Sequence, residues 1–202
     1  MIERFEARSG RKLSVIGLCE TKLGDAEAPD VPGFRVVARR DRAANDGGGG
    51  VAVLVRDSYA AHAIDGPLDD ASETLAVALG EGDRAPRFFV GYRAPDDDME
   101  PYLRALRFHA GEAAAAGAAF VGGGDPNLPA LQLPQSGVDL RACSGATETA
   151  GCRAFRALLE ESRLTVKSGT VAACGPGLDA ALYRTTASDS ESGSDGEEDD
   201  DI

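Results

Sequence analysis

Short apolar segments alternate along this chain with segments rich in glycine, proline and charged residues, and this pattern constrains the fold more than any other feature. The apolar segments are too short for typical helices, and several carry the β-branched residues that strands favour. Helical spacing of apolar residues predicts helices over 98–117 and 151–164. Because hairpin connections join most of the strands, the pattern favours a mixed sheet system over a doubly wound parallel sheet. The predicted strands are Leu13–Leu18, Phe34–Ala38, Val51–Val55, Leu75–Leu79, Arg87–Tyr92, Ala118–Val121 and Leu178–Tyr183.

The length of 202 residues is enough for one α/β domain with its own core. Trp is absent and aromatic residues make up 5% of the chain, so the core must be built mainly from Ala, Val, Leu and Ile. Residues 188–202 contain eight acids and no Lys or Arg. Such a segment buries too little apolar area to fold. We therefore predict one domain over residues 1–186 and a disordered acidic tail over residues 187–202.

The formal net charge is -13, and about -5 of it remains on residues 1–187 once the eight acids of the tail are set aside. A mildly acidic body argues against strong sequence-independent affinity for DNA, although a local basic patch can act alone. Several arginines lie in or near the predicted hairpin connection of residues 39–50, where they form either a phosphate-binding patch or an ordinary solvated face. These arginines are Arg35, Arg39, Arg40, Arg42 and Arg56.

The sequence predicts an intracellular protein, nuclear or cytoplasmic, with no membrane association. Met1 is followed by Ile, Glu and Arg rather than by an apolar secretory segment. The longest apolar run, Ala113–Val121, is too short to cross a bilayer. The cysteines match no zinc spacing and are predicted to be free thiols. They are Cys19, Cys143, Cys152 and Cys174.

Acidic residues stand at the ends of three predicted strands. Glu20 follows the first strand, Asp125 follows the Ala118–Val121 strand and its glycines, and Asp179 lies at the start of the last strand. Carboxylates at strand ends converge at one edge of a sheet, and Mg²⁺ prefers such oxygen ligands. Asn127 lies two residues beyond Asp125, so both side chains could serve one site. Tyr92 closes its strand and is followed by Ala94-Pro95, which favours an extended turn.

These segments resemble the motifs of the endonuclease/exonuclease/phosphatase superfamily, in the same order. Leu18-Cys19-Glu20-Thr21-Lys22 resembles its Glu-Thr motif, and Tyr92-Arg93-Ala94-Pro95 resembles its Tyr-x-x-Pro element. Gly123-Gly124-Asp125-Pro126-Asn127 resembles its Gly-Asp-Phe-Asn motif, with Pro126 in the Phe position, and Gly177-Leu178-Asp179 resembles its Ser-x-Ile-Asp element. The stretch PGFRVVARRDR…GGGGVAVLVRD, within residues 31–57, is similar to the endonucleases of non-LTR retrotransposons.

The resemblance implies a fold and a set of roles. The fold would be a DNase I-like α/β sandwich of two mostly antiparallel sheets flanked by helices, here incomplete at both ends. Glu20 would ligate Mg²⁺ or Mn²⁺, and Asp125 would either ligate the metal or position and deprotonate the attacking water. Asn127 would hold the scissile phosphate, Tyr92 would contact a phosphate oxygen, and Asp179 would orient a catalytic histidine.

The sequence also departs from the family pattern. No Asn-bearing strand precedes Glu20, and no Ser-Asp-His motif follows Asp179. The two histidines, His62 and His109, stand in other places and are expected to be surface or packing residues. Loss of members of a catalytic unit costs orders of magnitude in rate. The departures therefore predict a truncated or degenerate copy that cuts poorly.

The function implied by the resemblance is Mg²⁺-dependent phosphodiester cleavage of DNA. Two alternatives stay open at this stage. One is a catalytically inactive relic that acts as an interaction protein, whose acidic tail binds a basic partner such as a histone. The other is a phosphatase of the same superfamily that acts on a phosphorylated small molecule or lipid.

Each proposed site residue also has an interpretation in which its role is structural and not catalytic. Glu20 could be a solvated residue at a strand end, and Tyr92 could serve in packing. Asp125 and Asn127 could be turn formers after a tight glycine turn. Asp179 could be structural, since its histidine is missing. In the tail, Ser188, Ser192 and Ser194 each precede an acid by three residues, a spacing that acid-directed kinases accept.

Overall fold

The computed structural model describes residues 2–10, 12–23, 27–42, 48–67, 73–128, 131–132, 141–142, 149–168 and 180–184. The predicted acidic tail, the predicted domain boundary at residue 186 and Asp179 lie outside these residues. No helix of the described ranges is long and apolar enough to cross a membrane.

The described chain forms two main sheets, a two-stranded ribbon and three helices. The helices are α1 (Ile2–Ser9), α2 (Met99–Ala116) and α3 (Ala150–Glu161). The first strands are β1 (Val15–Cys19), β2 (Phe34–Arg40), β3 (Val51–Arg56) and β4 (Ala61–Ile64). The remaining strands are β5 (Glu73–Leu79), β6 (Arg87–Tyr92), β7 (Phe120–Asp125), β8 (Leu131–Gln132), β9 (Arg141–Ala142), β10 (Thr165–Ser168) and β11 (Ala180–Arg184).

The smaller main sheet has the strand order β1-β3-β2, and both of its pairs are antiparallel. The larger sheet has the order β10-β11-β7-β6-β5-β4. Its pairs are antiparallel except for β6 and β7, which run parallel because α2 crosses between them. Asp98 caps the start of α2, and Gly117 ends it in a left-handed conformation. This crossover places the ends of β6 and β7 side by side.

The two sheets pack face to face through a core of small and β-branched side chains. Val53 and Val55 of β3 and Val77 and Val90 of the larger sheet are almost completely buried in this layer. On the other face of the larger sheet, α2 and α3 pack against a second core that includes Phe89. The prediction of a two-sheet, mostly antiparallel α/β sandwich flanked by helices is confirmed.

Strand β1 crosses β6 at very close range, and a glycine permits this approach. A Cβ atom at Gly17 would lie 3.1 Å from Cγ2 of Val90 and 3.2 Å from the Phe88 ring. Because Gly17 has no side chain, the side chains of Val90 and Phe88 can pack directly against the main chain of β1 at this point. As a result, the residue that follows β1 reaches the end of β6.

The structure differs from the sequence prediction at β7 and at four short strands. The strand predicted to end at Val121 continues through the glycines to Asp125, because these residues pair with both β6 and β11. The short strands β4, β8, β9 and β10 were not predicted, since segments of two to four residues give little signal.

Candidate active site

The strand-end site consists of Glu20, Tyr92, Asp125 and Asn127. Tyr92 ends β6 and Asp125 ends β7, and these two residues are register partners in the parallel pair. Neighbouring strands lie about 4.8 Å apart, so the two residues are adjacent in the sheet. Glu20 follows directly after β1 of the other sheet.

A hydrogen bond across the sandwich joins Tyr92 to Glu20. The Tyr92 hydroxyl donates to Oε1 of Glu20 at 2.6 Å. Tyr92 is 5% exposed, whereas the Glu20 side chain is 48% exposed. The other carboxylate oxygen of Glu20 lies 3.7 Å from Nζ of Lys22. The tyrosine thus fixes one oxygen of a carboxylate that remains open to solvent.

The backbone around Glu20 is held in an unusual conformation. Glu20 and Lys22 both have φ of 52°, in the left-handed region. Their segment is tied to the start of β3, because the N–H groups of Thr21 and Lys22 donate to the carbonyls of Gly50 and Gly49 at 3.1 and 2.9 Å. Strain of this kind persists where the surroundings fix it, and it often accompanies function.

Asp125 and Asn127 form a compact turn beyond β7. The Asn127 N–H donates to Oδ1 of Asp125 at 2.8 Å, and Asn127 has φ of 48°. The Nδ2 atom of Asn127 donates to the carbonyl of Arg93 at 2.6 Å. An amide nitrogen carries two hydrogens, so this bond leaves one hydrogen and the Oδ1 atom for a ligand.

Burial raises the pKa of Tyr92 to about 12, and the hydrogen bond to Glu20 adds to the effect. The phenol is therefore protonated at neutral pH and acts as a donor toward the carboxylate. Burial also raises the pKa of Tyr102 on α2, and the nearby Cys19 and Asp125 contribute to that shift.

The raised pKa of Tyr92 predicts a loss of stability in alkali. The unfolded chain has the ordinary phenol pKa of 10.0 and the folded chain about 12, so the unfolded state loses the proton first. The contribution of Tyr92 is complete below about pH 10 and is lost between about pH 10 and 12. We expect the urea midpoint of Tyr92→Phe to decrease less between about pH 10 and 12 than that of the unmodified protein. Tyr59→Phe, at an exposed phenol, is the control; an unchanged slope in Tyr92→Phe would contradict the assignment.

Two residues beside the strand-end site, Glu73 and Arg42, were not predicted from the sequence to lie there. Glu73 begins β5 as the register partner of Tyr92 and is buried. Its Oε1 accepts from Nε of Arg42 at 2.5 Å, and its Oε2 accepts from the N–H of Gly50. The Arg42 guanidinium lies 5.9 Å from the centre of the Tyr92 ring. The sequence signal that could have indicated Glu73 is its position as a single acid at the start of an apolar strand.

Three of the arginines near the hairpin make contacts within the fold, which argues against a phosphate-binding patch and shows more than an ordinary solvated face. Arg35 donates to the carbonyls of Arg56, Asp57 and Tyr59. Arg39 pairs with Asp41 at 2.7 Å, and Arg56 pairs with Glu6. These guanidinium groups are thus engaged within the fold itself.

Both histidines lie away from the strand-end site. His109 is buried on α2, where it packs beside Phe89 and Phe108, and Phe89 faces the core opposite to that of Tyr92. Burial lowers the pKa of His109 to about 4. His62 is exposed on the edge strand β4. Neither can supply the histidine that the resemblance implies.

A family model for the endonuclease/exonuclease/phosphatase family matches residues 2–135 of the chain. This match spans β1 to β8 and thus includes Glu20, Tyr92, Asp125 and Asn127. The chain belongs to the endonuclease/exonuclease/phosphatase family. A comparison with curated proteins found no match.

Solved structures show the fold of this family. The endonuclease domain of TRAS1, a telomere-specific non-LTR retrotransposon, is 18% identical with a TM-score of 0.55, and the match covers 91% of this chain and 76% of that one. The human Nocturnin catalytic domain with bound sulfate has 12% identity, a TM-score of 0.50 and coverage of 90% and 73%. The Xenopus laevis APE2 catalytic domain has 14% identity, a TM-score of 0.50 and coverage of 91% and 77%.

Proteins of this endonuclease/exonuclease/phosphatase family generally depend on a divalent metal ion. Within the described ranges, no three His, Cys, Asp or Glu side chains are grouped closely enough to hold an ion by themselves. Mg²⁺ commonly uses only one or two carboxylates and completes its shell with water and substrate phosphate. The solvent-open oxygen donors of Glu20 and Asp125 suit such a site and do not suit a closed zinc site.

Proposed function

We propose that this protein hydrolyses phosphodiester bonds of DNA with the help of Mg²⁺ or Mn²⁺ at the strand-end site. The observation that carries the proposal is the hydrogen bond from Tyr92 to Glu20, because it joins the end of one sheet to the end of the other. Asp125 stands beside Tyr92 in the larger sheet, so an acid from each sheet borders the same tyrosine. Two carboxylates that converge in this way could share one Mg²⁺ ion, with water and substrate phosphate as its further ligands.

In this proposal, Glu20 and Asp125 are the residues that hold the metal ion. The ion would act as a Lewis acid toward the phosphoryl oxygens and would offset charge on the leaving oxygen. The half-exposed Glu20 carboxylate can reach a ligand from solvent while Tyr92 holds its orientation. Lys22, close to Glu20, partly balances its negative charge before an ion binds.

The remaining groups would act on the substrate. Asp125 can accept a proton from the attacking water, since its carboxylate is partly exposed at the end of β7. Asn127 would present its remaining amide hydrogen to a phosphate oxygen. The protonated Tyr92 hydroxyl would contact the phosphate in competition with its bond to Glu20. Asp179, outside the described residues, stays a proposed member of the site.

DNA as the substrate is supported by one of the structural neighbours. The TRAS1 structure is the endonuclease domain of a retrotransposon, and its fold matches over 91% of this chain. The Val31–Arg56 stretch resembles the same group of enzymes in sequence.

One observation favours a second candidate, an impaired or inactive copy that acts through protein contacts. His109 and His62 are the two histidines of the sequence, and neither lies at the strand-end site. Without a histidine, the site would lack one member of the family's catalytic unit, and the rate would fall by orders of magnitude. In this candidate function, the acidic tail of residues 187–202 binds a basic protein partner.

Nicking of supercoiled plasmid by the purified protein distinguishes these two functions. We expect relaxed plasmid to accumulate with Mg²⁺ and to be absent with EDTA. A preparation that nicks equally in both would contain a different nuclease. No nicking with either Mg²⁺ or Mn²⁺ would reject the hydrolase and leave the interaction protein.

Metal binding also predicts a change in thermal stability. A ligand present at ten times its Kd stabilises the folded state by about 1.4 kcal/mol, which is roughly 3–5 °C in Tm for a chain of this size. We expect Mg²⁺ to raise the Tm of the unmodified protein and to have almost no effect on Glu20→Gln. Glu81→Gln, on the exposed turn after β5, should keep the full shift. An unmodified protein that shows no shift would reject the metal site.

A further inference from the structure

Arg93 connects the two loops that follow β6 and β7. It comes directly after Tyr92, and its guanidinium group lies partly buried between residues 94–97 and residues 125–127. The resemblance assigned no role to this residue, since only the Tyr and Pro positions of its motif are family features.

The guanidinium group donates to main-chain carbonyls of both loops. On the β7 side, Nε donates to Pro126 at 2.8 Å and Nη2 donates to Asn127 at 2.6 Å. On the β6 side, Nη1 donates to Pro95 at 3.1 Å and to Asp97 at 2.6 Å. One planar group thus binds four carbonyls, and it fixes each loop relative to the other.

The main chain of Arg93 adds two further bonds to the same loop. Its N–H donates to the carbonyl of Asp125 at 3.0 Å, and its carbonyl accepts from Nδ2 of Asn127 at 2.6 Å. Every residue from 125 to 127 is therefore bonded to Arg93. Asn127 is in the left-handed region, which Asn tolerates better than most residues, and these bonds stabilise the turn further in that conformation.

We propose that Arg93 is a positioning residue, which holds the turn of Asp125 and Asn127 in the conformation that catalysis needs. The inference rests on the proposed hydrolase function, and it gives a role to a residue that does not touch the substrate. Its guanidinium group donates hydrogen bonds to carbonyls. Its proposed role is therefore to hold the loop conformation and not to neutralise charge on the reacting phosphate. Misplacement of catalytic groups by about 1 Å can cost about 10²-fold in rate.

Lysine cannot reproduce this arrangement. An arginine presents five N–H donors in a rigid plane, which matches carbonyls on two sides, whereas an ammonium group is a compact point charge on a flexible stem. Arg93→Lys keeps the positive charge and loses the planar array of N–H donors. It therefore separates the geometric role from an electrostatic one.

The test combines steady-state kinetics of Mg²⁺-dependent cleavage with hydrogen exchange on the full chain. We expect Arg93→Ala and Arg93→Lys to lower kcat by about 10²-fold while KM stays nearly unchanged. Added guanidinium ion at low concentration should restore part of the activity of Arg93→Ala. Arg84→Ala, at an exposed arginine of the turn before β6, should keep the unmodified rate.

Hydrogen exchange reports the anchoring independently of activity. Peptides that cover residues 124–128 should exchange faster in Arg93→Ala, while those of β3 and α2 stay as in the unmodified protein. If the unmodified protein cleaves and Arg93→Ala keeps its kcat, or if Arg93→Lys acts like the unmodified protein, the proposal is overturned. If the unmodified protein does not cleave, the hydrolase function fails, and unchanged exchange at 124–128 would also overturn the anchoring role.

Discussion

Asp125→Asn is expected to lower the rate of Mg²⁺-dependent plasmid nicking by about 10³-fold or more. The substitution keeps the shape of the side chain, and its Oδ1 can still accept from the N–H of Asn127. What it removes is a negative charge toward the metal ion and a group that can take a proton from water. Each such contribution is worth several kcal/mol in the transition state, and about 1.4 kcal/mol is tenfold in rate.

The control for this prediction is Asp83→Asn, which removes a carboxylate of the same kind from an exposed turn. This variant should nick plasmid at the unmodified rate and should unfold at the same temperature. If Asp125→Asn retains a tenth or more of the unmodified rate, Asp125 is not part of the reacting site.

Gly124→Ala is expected to have the largest effect on stability, about 3 kcal/mol, because it combines backbone strain with overpacking. Gly124 has φ of 132°, a conformation that residues with a Cβ rarely adopt. A Cβ atom there would lie 1.9 Å from the carbonyl oxygen of Gly91, its register partner in β6. The strands would have to separate just before Asp125 and Tyr92, so activity should fall with stability.

The measurement is the free energy of unfolding from urea titration, beside Gly111→Ala as a control. Gly111 is an exposed residue of α2 with open space around its Cβ position. Alanine should stabilise that helix by about 0.5–1 kcal/mol. The two glycine substitutions are therefore predicted to have opposite signs. Equal stability of Gly124→Ala and the unmodified protein would contradict the close approach of β6 and β7.

Much of the sandwich could be predicted from local sequence. The apolar segments of β3, β5 and β6 are bounded by turn residues, and helix α2 has clear apolar spacing and a glycine at its end. These signals are local, so they can be interpreted without knowledge of the tertiary fold. Strand β7 was predicted to be shorter because Gly122–Asp125 suggested a turn. Its glycines lie in a strand since β6 and β11 pair with them, which only the tertiary structure reveals.

The location of Glu20, Tyr92 and Asp125 at strand ends could be predicted from the sequence, whereas the contacts between them could be predicted only in part. The positions of Glu20 and Asp125 after strands were visible in the sequence. The hydrogen bond between Tyr92 and Glu20 depends on how two sheets pack, over a separation of 72 residues. The pairing of Glu73 with Arg42 and the contacts of Arg93 are of the same long-range kind. Residue patterns do not encode such contacts, so the sequence could not assign them.

The most direct test of the proposed metal site is the number of Mn²⁺ ions bound per chain, measured from the free-ion signal in electron paramagnetic resonance. We expect one ion in the unmodified protein, and an affinity reduced about tenfold or more by both Glu20→Gln and Asp125→Asn. Both variants should bind Mn²⁺ more weakly, because each sheet contributes one ligand to a single site. Binding that survives either substitution unchanged would contradict a metal site shared between the ends of β1 and β7.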